Sequence, residues 1–300
     1  MYKERKGDKM KYTNNYKLPE YACDILKQDT YDKQEGKYSA TELINGGLMN
    51  ALIRKHQDDI IKDVTDNIWT VFGNAVHSYI ENLPSKYVKE LRVETPIEFE
   101  YYNPDKGVSE TMEVTITSKG DLYIPGEKRL VDVKNTSKYA TMYNKVKPEW
   151  EAQLNINRYI YKKNLLPIEH LEILCFYKDL GKIDSMKHDF CDIPLEVIKI
   201  PTWTMEETEE YIIDRVKVQL EERQCNEFER WRKPEQYKVK KRGAKRATAN
   251  FNNYSDAEEK RFKMKKPGEY EIEYHKGEDK RCLEYCDVKR FCNYYKENYG

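Results

Sequence analysis

The sequence predicts an α/β (α+β) fold: helices, then an antiparallel meander, then a helix, a strand and a long helix. Three observations carry this expectation. From Asp58 to Leu83, apolar residues recur at 61, 64, 68, 72, 75, 76, 79, 80 and 83, a helical spacing closed by Pro84. Between 91 and 134 the pattern changes to alternation and β-branched runs. After Pro148, residues 149–163 return to helical spacing. Such an order builds layered helix-on-sheet packing and excludes a repeat or a bundle.

Residues 39–56 open on a Ser/Thr cap signal, and the Gly46-Gly47 pair divides them into two short helices. The strands read as 91–101, 111–117, 120–124 and 129–134, with turns supplied by Asn103 to Gly107 and by Pro125-Gly126. Residues 171–178 form a further strand. Thr204 with Glu207 is a capping box that opens a helix to about residue 224. Residues 1–37 read as a flexible segment, 38–224 as the core with its N-terminal helices, and 225–300 as a separate C-terminal region.

Composition bounds the function. Three hundred residues, 39% hydrophobic and 35% charged, suffice for one core under a heavily charged surface. No apolar run approaches the roughly 18 residues of a membrane span. Residues 1–20 are basic and polar, without the apolar stretch of a secretory signal. The expectation is a cytoplasmic protein with no membrane partner. Basic and acidic residues both number 53, so net charge says nothing about an acidic partner and charge distribution must.

The segment 120–134 carries the chemistry. If Pro125 to Lys128 is the turn, Ile124 pairs with Arg129, and Asp121 lies across from Asp132. Cross-strand partners have Cβ atoms about 4.5–5.5 Å apart, so two carboxylates face each other and repel unless a cation sits between them. Lys134, two residues beyond Asp132, projects from the same face. Two acids and a lysine on one sheet face suit metal-assisted phosphodiester hydrolysis. The triple Asp132-Val133-Lys134 is weak alone, since chance supplies roughly nine acid-x-base triples in such a chain. The order of the surrounding motifs is the stronger signal.

That order is His77, Gly120-Asp121, Asp132-Val133-Lys134 and Gln153-Leu154. It resembles the RecB-type branch of the PD-(D/E)xK nucleases, and more closely the phage-encoded exonucleases of that branch. The phrases Tyr38 to Leu43, Gly73 to His77, Trp150 to Ile156, Glu229-Arg230-Trp231 and Arg281 to Cys292 are similar in style, so the likeness spans roughly residues 38–295. The resemblance implies a restriction-endonuclease-like core, a mixed sheet flanked by helices. It also implies that His77, Asp121 and Asp132 ligate a catalytic Mg²⁺ or Mn²⁺, with the Val133 carbonyl added. Lys134 would orient or deprotonate the attacking water, and Gln153 would hold that lysine or the phosphate. In one departure, Asn157 stands where the family has a tyrosine, which puts the aromatic support of the site in doubt. Glu94, Glu98 and Glu100 read as a polar strand face from which one acid could reach a second metal.

Seven cysteines without an export signal point away from disulfides. Cys282, Cys286 and Cys292 fall within eleven residues and read as metal ligands in need of a fourth thiolate. Cys225 is the preferred fourth ligand, Cys23 the alternative, and buried thiols without metal a third reading. A [4Fe–4S] cluster fits the thiolates and the resembled enzymes, and zinc fits them by coordination chemistry alone.

Residues 230–246 hold nine Lys or Arg against one acid, Glu235. Arg242-Gly243 reads as the turn of a basic hairpin, with Trp231 and Tyr237 interleaved. Arg230, Trp231, Lys238, Lys240, Lys241, Arg242, Lys245 and Arg246 are therefore the expected DNA contacts, cations for phosphate and rings for unpaired bases.

The function expected is a metal-dependent DNA exonuclease using metal-activated water, in phage DNA recombination or processing. Phage or host recombination and replication proteins would be its partners, in the host-cell cytoplasm if it is phage-encoded. Two alternatives stand beside it: a catalytically idle DNA-binding or inhibitor protein on the same fold, and a structure-specific or CRISPR-adaptation-type endonuclease.

Overall fold

A computed structural model describes residues 11–27, 33–84, 86–104, 106–142, 144–181 and 191–300. Residues 1–10 and 28–32 of the segment expected to be flexible, and Asp105 of the expected turn, lie outside that set. The chain divides into two units, residues 1–223 and 224–300.

The first unit opens with β1 (Lys11–Thr13), α1 (Glu20–Leu26), β2 (Lys37–Ser39), α2 (Ala40–Leu43) and α3 (Gly47–Lys55). The described part of the N-terminal segment is thus structured. β1 pairs in parallel with β3 (Ile61–Asp63), and Asp63 accepts from the Asn15 N–H at 2.8 Å and the Thr13 hydroxyl at 3.0 Å. Ser39 caps α2 by accepting the Glu42 N–H at 3.2 Å. Gly46-Gly47 separates the two short helices as expected. The close approach of α3 also needs glycine at 47, where a Cβ would lie 2.1 Å from Val218 Cγ1.

The helix expected from Asp58 to Leu83 starts later, as α4 (Ile68–Asn82). Ile61 belongs to β3 and Val64 to a 3-10 turn, which Asp63 and Asp66 close reciprocally as a capping box. Spacing alone does not separate such a lead-in from the helix it feeds. None of the fifteen α4 residues is buried, although the helix carries His77.

β4 (Val88–Asn103) and β5 (Val108–Ile124) form a long antiparallel pair, so the expected strands 111–117 and 120–124 are one continuous strand. β5 pairs further with β2 in parallel and with β6 (Arg129–Thr136) antiparallel. From β6 the chain crosses through α5 (Pro148–Lys163) to β7 (His170–Tyr177), parallel to β6 in one β-α-β step. β8 (Leu195–Ile200) adds an antiparallel edge, and α6 (Met205–Leu220) follows, ending four residues before the expected limit. The result is a mixed six-stranded sheet flanked by helices.

α5 is buried on nearly every side and its residues join two apolar clusters. Ile156, Tyr159 and Ile160 pack with Ile97, Val114 and Ile116, while Trp150, Leu154 and Tyr161 pack with Leu130, Leu171 and Ile173. No helix among the described residues is long and apolar enough to cross a membrane.

The second unit holds β9 (Arg232–Lys233), β10 (Gln236–Lys241), β11 (Ala249–Phe251), α7 (Tyr254–Phe262), β12 (Tyr270–His275), β13 (Glu278–Asp279) and α8 (Asn293–Tyr299). β10 runs between β11 and β12, and β9 pairs with β13.

Candidate active site

β5 and β6 meet in the register that their turn dictates. Residues Pro125–Glu127 form a 3-10 turn, Lys128 takes the left-handed conformation (φ 49°), and Ile124 pairs with Arg129 and Leu122 with Val131. The ladder ends at Leu122 and Val131; next to it Asp121 Oδ2 accepts the Val133 N–H at 2.6 Å, and Asp132 lies close enough to feel the Asp121 charge. The two acids are 9% and 6% exposed.

Lys134 Nζ lies 2.8 Å from Asp132 Oδ2 and donates to Gln153 Oε1 at 3.0 Å. Gln153 in turn donates from Nε2 to the Thr41 hydroxyl at 3.3 Å. From α4, His77 Nδ1 reaches to 3.4 Å from Asp121 Oδ1. The five residues singled out for catalysis therefore converge from α4, β5, β6 and α5.

The charges respond to one another. Burial pushes the Asp132 carboxyl above the usual carboxylate range; the Asp121 charge adds to this, and Lys134 and His77 oppose it. The hydrogen bond to Asp121 raises the His77 pKa against the effect of burial, and the charges of Asp121 and Asp132 reinforce it. An excess of negative charge held out of water is a site prepared for a cation.

Three residues at this site escaped the sequence reading. Glu90 stands across from Asp121, because the β4–β5 ladder pairs Lys89 with Leu122 and Leu91 with Gly120. Its backbone is left-handed (φ 52°), its Oε1 lies 4.0 Å from His77 Nδ1, and Lys119 pairs with its other oxygen. His77, Glu90 and Asp121 present ligand atoms all within 4.8 Å of one another. Glu94, Glu98 and Glu100, the acids considered for a second metal, are exposed, with Glu94 paired to Lys37 and Glu100 accepting from Thr111. Lys119, the partner of Glu90, is the second, and Tyr161 is the third. Its hydroxyl accepts the Gly120 N–H and donates to the Leu91 carbonyl, so aromatic support reaches the site one turn after Asn157. Asn157 itself is buried and accepts from the Ser118 hydroxyl at 2.8 Å. Beside Gln153 a cavity of about 540 Å³ opens, with Lys37, Thr41, Arg92 and Lys119 among its lining residues.

In the second unit all four proposed thiols are half-buried and lie outside any disulfide. Cys282 sits in a helical turn, Arg281–Tyr285, Cys286 ends it, and Cys292 caps α8. Burial pushes the Cys282 thiol up to about 12, and the neighbouring charges of Asp279, Cys286, Cys225 and Cys292 add to it. Burial likewise holds Cys286 at about 11, against an N–H bond from Val288. No three of the four sulfurs lie within 4.8 Å of one another. Cys23 is in the first unit, where its thiol donates to the Leu18 carbonyl.

The basic run divides in two. Arg230 bonds the Cys225 carbonyl, stacks on Tyr294 and faces fully buried Asp279 at 3.3 Å, which Arg232 also approaches. Burial pushes the Asp279 carboxyl up, but the Tyr294 and Tyr299 hydroxyls and Arg230 outweigh it and hold it below the ordinary range. Trp231 packs edge-on against Tyr285 beneath Arg281. Lys240 and Lys241 pair with Glu273 and Glu269. These four expected DNA contacts make contacts inside the unit, three of them with acids that a local reading of 230–246 does not count: Asp279 on β13, Glu273 on β12 and Glu269 in the turn before β12. Arg242, Lys245 and Arg246, exposed on the β10–β11 connection, and half-buried Lys238 have no ion-pair partner among the described residues.

No family model and no curated protein matches the chain. Among solved structures it is similar to one described as "Crystal structure of SSO0001", with a TM-score of 0.46 and 12% identity over 71% of this chain and 91% of that one.

Proposed function

We propose that the protein is a divalent-metal-dependent deoxyribonuclease of the RecB-type PD-(D/E)xK kind, acting as an exonuclease from DNA ends. The observation that carries this reading is the convergence of His77, Asp121, Asp132, Lys134 and Gln153. Buried carboxylate oxygens suit Mg²⁺ or Mn²⁺, and an added imidazole nitrogen is better matched to Mn²⁺ than to Mg²⁺. His77, Asp121 and Asp132 would hold the ion, with the Val133 carbonyl beside them. When bound, such a cation lowers the pKa of a coordinated water and polarises a phosphoryl oxygen. Lys134, fixed by Gln153, offers its ammonium to orient the nucleophile and to neutralise charge growing on the phosphate.

The unpaired cations Lys238, Arg242, Lys245 and Arg246 are the DNA contacts of the second unit under this reading. Its four thiols are the ligands of a [4Fe–4S] cluster, with zinc as the alternative. A single tetrahedral zinc would draw its sulfurs to about 3.8 Å from one another, given Zn–S bonds of about 2.3 Å. A cubane instead gives each thiolate its own iron. A phage origin, a host-cell cytoplasmic location and recombination or replication partners belong to the same reading and rest on the sequence resemblance.

The test is incubation with end-labelled linear and circular DNA, single- and double-stranded, with Mg²⁺, with Mn²⁺ and with EDTA. The expected result is loss of linear substrate from its ends, intact circles and no reaction in EDTA. Cut circles would move the assignment to a structure-specific or adaptation-type endonuclease. Complete inactivity would leave an idle DNA-binding protein.

A further inference from the structure

We propose that Glu90 is an additional ligand of the catalytic cation and that Lys119 is its resident counter-cation, expelled from Glu90 when the metal binds. This rests on the reading of His77, Asp121 and Asp132 as a metal site, and it assigns two residues that the resemblance does not.

Position comes first. Glu90 occupies the ladder step facing Asp121, its Oε1 lies 4.0 Å from His77 Nδ1, and one of its carboxylate oxygens is within ligand spacing of both His77 and Asp121. The left-handed backbone at this one residue interrupts a strand that is otherwise regular from Val88 to Asn103. A glutamate keeps that conformation only where its surroundings impose it.

Burial comes second. The Glu90 side chain is 10% exposed, and a carboxylate so enclosed requires a cation. The ammonium that meets this need is Lys119, and it does so through Oε2, leaving Oε1 turned to His77. The side chain of Lys119 is 43% exposed, the most exposed of the cations at this site, against 37% for His77 and 27% for Lys134.

Charge then decides what moves. Glu90, Asp121 and Asp132 bring three carboxyl groups, against which the ammonium groups of Lys119 and Lys134 and the His77 imidazole are set. A divalent ion adds two positive charges within a few ångströms, so one ammonium becomes surplus. Lys134 is tied to Asp132 and Gln153. Lys119 has a long free stem and already lines the cavity shared with Lys37 and Arg92. Its departure from Glu90 would release the third of that cavity's cationic head groups from its carboxylate and leave it available to a substrate phosphate. Metal loading would thus charge the phosphate subsite in the same step.

Calorimetric titration of Mn²⁺ into the metal-free full-length protein tests this without any cleavage assay. Glu90→Gln should weaken binding by about tenfold or more. Lys119→Met, which removes the competitor, should tighten it several-fold. The double variant should match Glu90→Gln alone, since Lys119 acts through Glu90. Lys119→Arg should stay close to wild type and guards against misfolding of the methionine variant. Unchanged affinity in Glu90→Gln overturns the proposal, as does weaker binding in Lys119→Met. Should no DNA be cleaved while this affinity pattern holds, the nuclease reading falls and the metal switch stands. Cleavage with a flat affinity pattern is the reverse case.

Discussion

The Tyr161 hydroxyl accepts the Gly120 N–H at 3.2 Å and donates to the Leu91 carbonyl at 2.8 Å. Gly120 precedes Asp121 and Leu91 follows Glu90, so one phenol on α5 pins the two strand positions beside the facing acids. The bare α-carbon of Gly120 admits it, because a Cβ there would lie 2.5 Å from the Tyr161 oxygen.

Tyr161→Phe should therefore weaken the site without emptying it. The substitution strands a buried N–H and carbonyl, a loss of about 1–3 kcal/mol. Loosened ligands should lower Mn²⁺ affinity or turnover by roughly 10–100-fold, as for other groups that orient ligands from behind. Gly120→Ala should do the same by displacing the phenol. Urea denaturation and Mn²⁺ titration together check this; lost stability with unchanged metal affinity would make Tyr161 purely structural.

The hairpin was legible because its determinants are local. Pro125-Gly126 sets the turn, the turn sets the register, and the register brings Asp121 and Asp132 to adjacent strands just beyond the Leu122–Val131 pair. Glu90 was not legible, since it meets Asp121 through a ladder spanning β4 and β5 and through a left-handed residue that no propensity announces. The parallel β6–β7 pairing and the β8 edge depend equally on distant partners. The ion pairs of the basic run were hidden for the same reason: Glu269, Glu273 and Asp279 meet part of it from segments that come later in the chain.

Asp132 and Lys134 should separate metal binding from chemistry. Asp132→Asn removes a ligand charge, so both Mn²⁺ binding and cleavage should disappear. Stability of the metal-free protein should hold or rise, because a buried carboxylate no longer faces Asp121. Lys134→Ala should keep Mn²⁺ binding yet cut turnover by about 10²–10⁴-fold, the span of a lost proton-handling group. Equal loss of metal in both variants would contradict the separation.

Asp63 should give the first unit an acid-sensitive corner. Its carboxylate accepts from the Asn15 N–H, the Thr65 hydroxyl and N–H, and the Thr13 hydroxyl, and these bonds depress its pKa to about 2. A depressed carboxylate stabilises above its unfolded pKa and loses that contribution as pH falls from about 4 toward 2. Amide exchange around β1 should accelerate across that window in the wild type. In Asp63→Asn it should be fast already at neutral pH and insensitive to acid. Identical profiles for the two proteins would exclude the link.

The two halves of the basic run predict opposite phenotypes. Replacing Arg242, Lys245 and Arg246 together with Ala should reduce DNA affinity and lower the slope of log K against log salt by up to about three, leaving the melting temperature unchanged. Arg230→Ala should lower the melting temperature, because it leaves Asp279 short of a cation in a fully buried position. A triple variant that binds DNA with wild-type affinity and salt slope would remove the β10–β11 connection from the interface.

Cys286→Ser tests the metal reading of the second unit. Cys225 is drawn toward the other three thiols by a specific scaffold. Arg230 bonds its carbonyl and faces Asp279, and the Arg281 N–H donates to the Arg230 carbonyl at 3.0 Å, one residue before Cys282. A metal centre on the four sulfurs closes the chain between 225 and 292, and its binding free energy becomes folding free energy for that loop. Serine at 286 offers a harder, less acidic oxygen where burial already opposes the thiolate. The variant should lose its iron or zinc, exchange amides faster at 225–231 and 281–299, and bind DNA more weakly through the β10–β11 connection. Mn²⁺ affinity should not change, because His77, Glu90, Asp121 and Asp132 all belong to the other unit. A brown wild-type protein absorbing near 400 nm, as thiolate-bound iron does, marks the cluster, and one tight zinc in a colourless protein marks the alternative. Four thiols that titrate freely in anaerobically prepared native protein, with neither metal present, would leave Cys225, Cys282, Cys286 and Cys292 as ordinary half-buried side chains.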